Sequence, residues 1–160
     1  MMLFEFIRHT RQHHALEHAT IHQLTARNPH VRVAGYSDPL GFTLIGVVSE
    51  EQVHSAVDDA LLRLQAGEAH WAIHPNCGTN LVTSGLLVTL AALLGNSLRQ
   101  HWLDRFTTAL LLVIPALIWS RPLGNHLQEY TTLAQVADRR VTTIYPVSLG
   151  NVHGFRIVLK

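Results

Sequence analysis

Charge is scarce in this chain. Of its 160 residues only 14% are Asp, Glu, Lys or Arg, and the formal net charge is +1. No block of one sign is present to attract nucleic acid, so that class of partner is set aside. The mean hydropathy of +0.16 is high for a water-soluble domain of this size and fits partial burial in lipid. Cysteine is scarcer still: Cys77 stands alone, which excludes an internal disulfide framework. Internal repeats and low-complexity stretches are missing too. Nor does the start read as a signal peptide. The apolar run Met1–Ile7 is too short, carries Glu5 and is followed by no small-residue cleavage site. It suits a short membrane-surface helix or a strand.

Histidine is abundant instead. There are 12, as many as Lys and Arg together. Such a surplus points to metal binding, to pH sensing, or to composition alone.

Periodicity divides the chain. A helix is expected from about Thr10, a plausible N-cap, to Arg27, where Asn28-Pro29 stops it. Val31–Val33 and Phe42–Ile45 read as strands joined through Ser37-Asp38-Pro39. Ser49-Glu50-Glu51-Gln52 is close to a capping box, and Val53, Val57, Ala60, Leu61 and Leu64 follow at helical spacing until Gly67. Near the end, Val141–Tyr145 and Phe155–Leu159 read as strands around a turn at Gly150-Asn151 that extend the earlier sheet.

Between these lie two apolar runs, Leu81–Leu94 and Phe106–Trp119. Each is near the lower limit of the roughly 17–25 residues that span a bilayer. Asn80 and Asn96 flank the first, and Trp102 and Trp119 sit where interfacial aromatics belong. The competing reading is a pair of buried core helices, which a chain this short would struggle to surround. Arg99 and Arg105 in the connection face Arg63, Arg121, Arg139 and Arg140 beyond the runs, so the positive-inside rule is nearly silent. The start of the chain favours a cytoplasmic polar domain. The expected fold class is α+β, a small helix-on-sheet domain interrupted by a two-helix transmembrane hairpin. Residues 1–80 form its N-terminal helix-strand-strand-helix part with the metal site, 81–120 the hairpin, and 121–160 the strands that complete the domain.

The chemistry is concentrated in His14-Ala15-Leu16-Glu17-His18. Positions four apart share a helix face, so two imidazoles can meet one ion. Glu17 stands about 60° round the helix from His14. A zinc hydrolase uses such a set: histidines hold the metal, a third ligand leaves one position for water, and a nearby carboxylate takes the proton as that water attacks. The bland alternative is a polar face with solvated histidines. Against it, Ala15, Leu16, Ala19, Ile21 and Leu24 make the helix look buried, and buried polar groups need partners. His18 and His22 form a second pair at the same spacing. His14 and His22 are about 12 Å apart along the axis, so one ion cannot hold all three, and His22 is expected behind the ligands.

A third ligand is expected after Gly67, where Glu68, His70, His74 and Cys77 crowd together. His74 ranks first, held in a Pro-containing turn; Glu68 and Cys77 are the alternatives, and Asn76 is expected to support the ligands. The run His74–Asn80 reads equally as a helix-entry turn capped by Thr79 or Asn80. Cys77 near a helix N-terminus also suits a thiolate nucleophile with His74 or a histidine of the first helix as base.

The motif resembles the active-site helix of the pitrilysin and insulinase metallopeptidases, with the following turn, two strands and helix over Val31–Leu64. The resemblance implies that His14 and His18 bind zinc, that Glu17 is the general base, and that a downstream glutamate is the third ligand. Glu68 is the nearby one, sooner than that family's pattern. It covers less than half of the chain. More broadly, His14–His22, Gly41-Phe42 and the His74–Asn80 loop before two apolar helices resemble an uncharacterised family of small bacterial membrane proteins catalogued as a domain of unknown function. That resemblance implies a multi-pass protein of the bacterial cytoplasmic membrane and carries no activity. Three functions compete: a membrane-associated zinc hydrolase acting on a peptide or a membrane-protein tail, a non-catalytic metal-binding or structural subunit of a membrane complex, and the Cys77 nucleophile.

Overall fold

A computed structural model describes residues 2–98, 100–150 and 152–160; Arg99 and Asn151, which the sequence puts in turns, and Met1 lie outside the described residues. The described residues form four α-helices and four strands, an α+β architecture. By their contacts they fall into two units. One comprises the chain up to His74 and from Tyr130 onward, and the other runs from Pro75 to Glu129.

In the first unit, α1 spans Met2–Arg27. It starts a full two turns before Thr10. The segment Met2–His9 holds no Gly or Pro to break it, and Glu5 bonds Arg8 one turn on at 3.1 Å. Thr10 therefore caps nothing; its hydroxyl donates back to the Phe6 carbonyl at 2.9 Å. Met2, Leu3, Phe4, Phe6 and Ile7 are exposed. The stop at Asn28-Pro29 stands.

The strands β1 (Val33–Asp38) and β2 (Gly41–Gly46) form a hairpin. Ser37 and Asp38 end β1 rather than form the turn, which falls on Pro39 and Leu40. Asp38 Oδ1 accepts from the Leu40 N–H at 2.8 Å and closes it. The helix α2 (Glu50–Gln65) starts at the expected capping box, with Ser49 and Gln52 bonding each other's backbone N–H. It ends at Gly67, whose φ of +87° suits glycine. The strands β3 (Val141–Leu149) and β4 (Val152–Leu159) join the same sheet, in the antiparallel order β1-β2-β4-β3. Phe42, Leu44, Ile157 and Leu159 from its central strands meet Leu16 and Ala19 of α1 and Val53, Val57 and Ala60 of α2 in one core.

The second unit is a helical hairpin of α3 (Gly78–Ser97) and α4 (Trp102–Thr131), which continues past the unit's limit at Glu129. The contacts run in opposite order: Asn80 with Asn125, Ser84 with Ser120, and Gly95 against Ala109. Both helices are long and apolar enough to cross a membrane. They are not core helices, because Leu81, Leu86, Leu93, Leu111 and Ile118 are each more than half exposed. Trp119 does not end α4, which carries Pro115 before it and runs on through Pro122 to Thr131. Near the second proline the Ser120 hydroxyl donates to the Leu117 carbonyl at 2.8 Å.

Candidate metal centre

Histidines 14, 18 and 22 recur every fourth residue of α1 and form one stripe. The chain after α2 lies along it. A single 3-10 turn, Ala69–Ala72, packs on α1 and turns backbone carbonyls toward the stripe. His18 Nδ1 meets the Ala72 carbonyl at 2.6 Å, and His22 Nε2 meets the Ile73 carbonyl at 2.8 Å. His14 Nδ1 meets the carbonyl of Thr131 at 3.1 Å. A carbonyl only accepts, so each of these nitrogens carries the proton of the neutral ring. The lone pair is left on Nε2 of His14 and His18 and on Nδ1 of His22. Metal-binding histidines are oriented in this way by the bond their other nitrogen makes.

His74 faces the stripe. Its ring centroid lies 5.7 Å from that of His18 and 4.6 Å from that of His22, while His14 and His18 are 4.4 Å apart. Two imidazoles on one tetrahedral ion would have centroids about 5 Å apart, given a metal–nitrogen distance near 2.0–2.1 Å. All three spacings are compatible with shared ions. Burial pushes the His74 imidazole down to about 4, aided by repulsion from His22 and His18. Burial also lowers His22, more than its bond to Ile73 raises it. Rings that stay neutral keep the lone pair a metal needs.

The low value makes a stability prediction for the metal-free chain. Between an ordinary imidazole near 6.5 and the folded value near 4, the unfolded chain takes up a proton that folded His74 refuses. This contribution is flat above about pH 6.5 and is lost as pH falls toward 4, by at most roughly 3 kcal/mol. Denaturant titrations across that range, compared with His74→Gln, will measure it. An identical pH dependence in the two proteins would remove the assignment.

Glu17 is 5% exposed, and its carboxylate accepts from the Ser37 hydroxyl. Gly35, two residues earlier on the same face of β1, leaves the space. A Cβ there would stand 2.6 Å from Glu17 Oε1. Neither residue is singled out by its sequence position. The available signal was the alternation that puts Gly35 and Ser37 on one face of a strand.

Glu68, His70 and Asn76 are distributed differently. Glu68 accepts from the Trp71 indole N–H at 2.7 Å and from Arg63 at 3.0 Å, and these bonds lower its pKa. Its carboxylate is thus directed at its own turn. His70 packs on Trp71. Asn76 is exposed in the turn before α3. Cys77 belongs to the hairpin unit, where its buried Sγ caps α3 by accepting the Thr79 N–H at 3.4 Å. Asn80 is a lock in that unit: its amide donates to the Pro75 carbonyl at 2.8 Å and to Asn125 at 2.9 Å, and it accepts from Gln128 at 3.0 Å.

The sequence from His9 to Ile144, which holds the stripe, the His74 turn and the hairpin, matches the family described as "Domain of unknown function (DUF6391)" over residues 9–144. The chain belongs to this family. Within the DUF6391 match lie all the histidines of the stripe. The chain is also 35% identical over 140 residues to "Uncharacterized protein SYNPCC7002_A1392" of Picosynechococcus sp. (strain ATCC 27264 / PCC 7002 / PR-6), covering 78% of this chain and 65% of that protein. It thus spans about two thirds of that relative's length. No solved structure matches it.

Proposed function

We propose that this member of the DUF6391 family is a membrane-associated zinc-dependent hydrolase, a metallopeptidase. The observation that carries the reading is the oriented histidine set. His14 and His18 present Nε2 from one helix face, and His74 packs against His18 from the facing turn. These three would hold the ion, and zinc suits nitrogen donors. When bound, the ion lowers the pKa of a coordinated water to about 7. Glu17 is the base that takes the proton, held by Ser37 in the space left by Gly35. The histidine–glutamate motif, resembling the pitrilysin type, supports the same roles.

The two apolar helices support a membrane anchor; a multi-pass placement in the bacterial cytoplasmic membrane, with the polar unit on the cytoplasmic side, is the proposed location. His74 precedes α3 by only four residues in the chain, so the substrate would be presented close to the bilayer: a peptide or the tail of a membrane protein. A second reading, a non-catalytic metal-binding subunit of a membrane complex, is favoured by one observation. His22 stands beside His74 as a further histidine, so the cluster is richer in imidazoles than a catalytic site with three ligands and a water requires.

The test is metal analysis of the full chain purified in detergent, with hydrolysis of membrane-anchored peptides measured before and after chelation. One zinc per chain and activity lost with the metal and restored by it are expected. Zinc without hydrolysis would leave the structural reading, and a chain that binds no metal would sink both.

A further inference from the structure

We propose that the stripe on α1 offers a second metal position one turn beyond the first, made by His18, His22 and His74. The inference rests on the metal-binding reading above and adds to it by making His22 a ligand. One ion cannot reach from His14 to His22, since the rise between them is about 12 Å. It can be held between neighbours on the stripe, which are about 6 Å apart. The first position rests on ring spacings of 4.4 Å and 5.7 Å, linked through His18. The second rests on 5.7 Å and 4.6 Å, linked through His74. Each set is linked by two ring contacts.

The nitrogen roles agree. His22 gives its Nε2 proton to the Ile73 carbonyl and so presents Nδ1, while His18 presents Nε2. Trp71 lies edge-on to His22 at 5.5 Å and shields it. Three imidazoles select a borderline divalent ion such as zinc or cobalt(II) over calcium or magnesium. His18 and His74 serve both positions, so a single ion occupies one position or the other. Along the helix Glu17 is about 4.5 Å from the level of His14 and about 7.5 Å from that of His22. An ion at the second position is therefore held farther from the base, as a resting or loading position.

The test uses the full chain in detergent, titrated with cobalt(II) and followed by its visible absorption, with helix content checked by circular dichroism. His14→Asn places an amide nitrogen where Nδ1 was and can keep the Thr131 bond. His22→Gln reaches where Nε2 was and can keep the Ile73 bond. Each removes the ligating nitrogen with little reason to unfold. The wild type and both single variants are expected to bind one cobalt per chain, each variant within about tenfold of the wild type, and the double variant on the order of 100-fold more weakly. A folded His14→Asn protein that takes no cobalt, while the wild type does, overturns the second position and leaves the first intact. A double variant that binds as tightly as His14→Asn overturns it too. A wild type that takes no cobalt overturns this inference together with the metal reading on which it rests.

Discussion

Replacing Glu17 by Gln is expected to leave zinc bound and to reduce hydrolysis by a factor on the order of 10²–10⁴, the usual contribution of a positioned general base. The substitution changes little else. Gln keeps the length of the side chain, and its carbonyl oxygen can still accept from the Ser37 hydroxyl that Glu17 now engages. What it cannot do is take a proton from metal-bound water. His18→Ala is the contrasting variant, because it removes the histidine that touches both His14 and His74, and it should lose metal and activity together. Gly35→Ala should resemble Glu17→Gln, since its new methyl group would press on the carboxylate from 2.6 Å and move it. Metal content and rate measured side by side separate these outcomes. If Glu17→Gln retains full activity, Glu17 is not the base.

The stripe itself was legible because a four-residue spacing on an amphipathic helix needs only the period of the helix. What orients it was not. The acceptors for His18 and His22 are the backbone carbonyls of Ala72 and Ile73, and a carbonyl leaves no mark in a sequence. The nitrogen each ring presents follows from those bonds and could not be read in advance. Distance along the axis placed His22 behind the ligands; in the structure it packs on His74. Glu68 shows how local partners escape a sequence pattern. A downstream glutamate fits the metallopeptidase pattern, yet Arg63 five residues back and Trp71 three residues on engage it locally.

Elements set by local chemistry were readable in the fold as well. Ser49 with Gln52 starts α2, and Gly67 stops it. Thr10 was misread, because a good N-cap residue does not start a helix when the residues before it can also be helical. The sheet order depends on β4 pairing with β2 across more than 100 residues of chain, as in Phe42 opposite Ile157. The strand pattern predicted that the late strands join the sheet. It held nothing to decide which of them lies beside β2.

Arginine at both Leu86 and Leu111 is expected to abolish membrane integration. The two leucines lie near the middles of the apolar stretches of α3 and α4 and are 59% and 65% exposed. In water such positions tolerate arginine, with stability changes within about 0.5 kcal/mol and a gain in solubility. At the middle of a helix in lipid each arginine costs about 2.5–3.5 kcal/mol of insertion free energy. The two environments therefore predict opposite results from the same substitution. The lengths favour lipid: α3, at 20 residues, rises about 30 Å, the thickness of a hydrocarbon core. The 30 residues of α4 exceed that thickness, and its last turns carry the exposed Asn125, His126 and Glu129, polar groups suited to a headgroup layer. Inside the hairpin, Ser84 bonds Ser120 at 2.9 Å, pairing hydroxyls that lipid could not satisfy. The measurement is carbonate extraction of membranes from cells expressing either protein. Wild-type chain should remain in the pellet, and the double variant should appear in the supernatant or be degraded. Should both proteins be extracted alike and be equally stable in buffer, the hairpin does not reside in lipid, and its exposed leucines must be covered by protein instead.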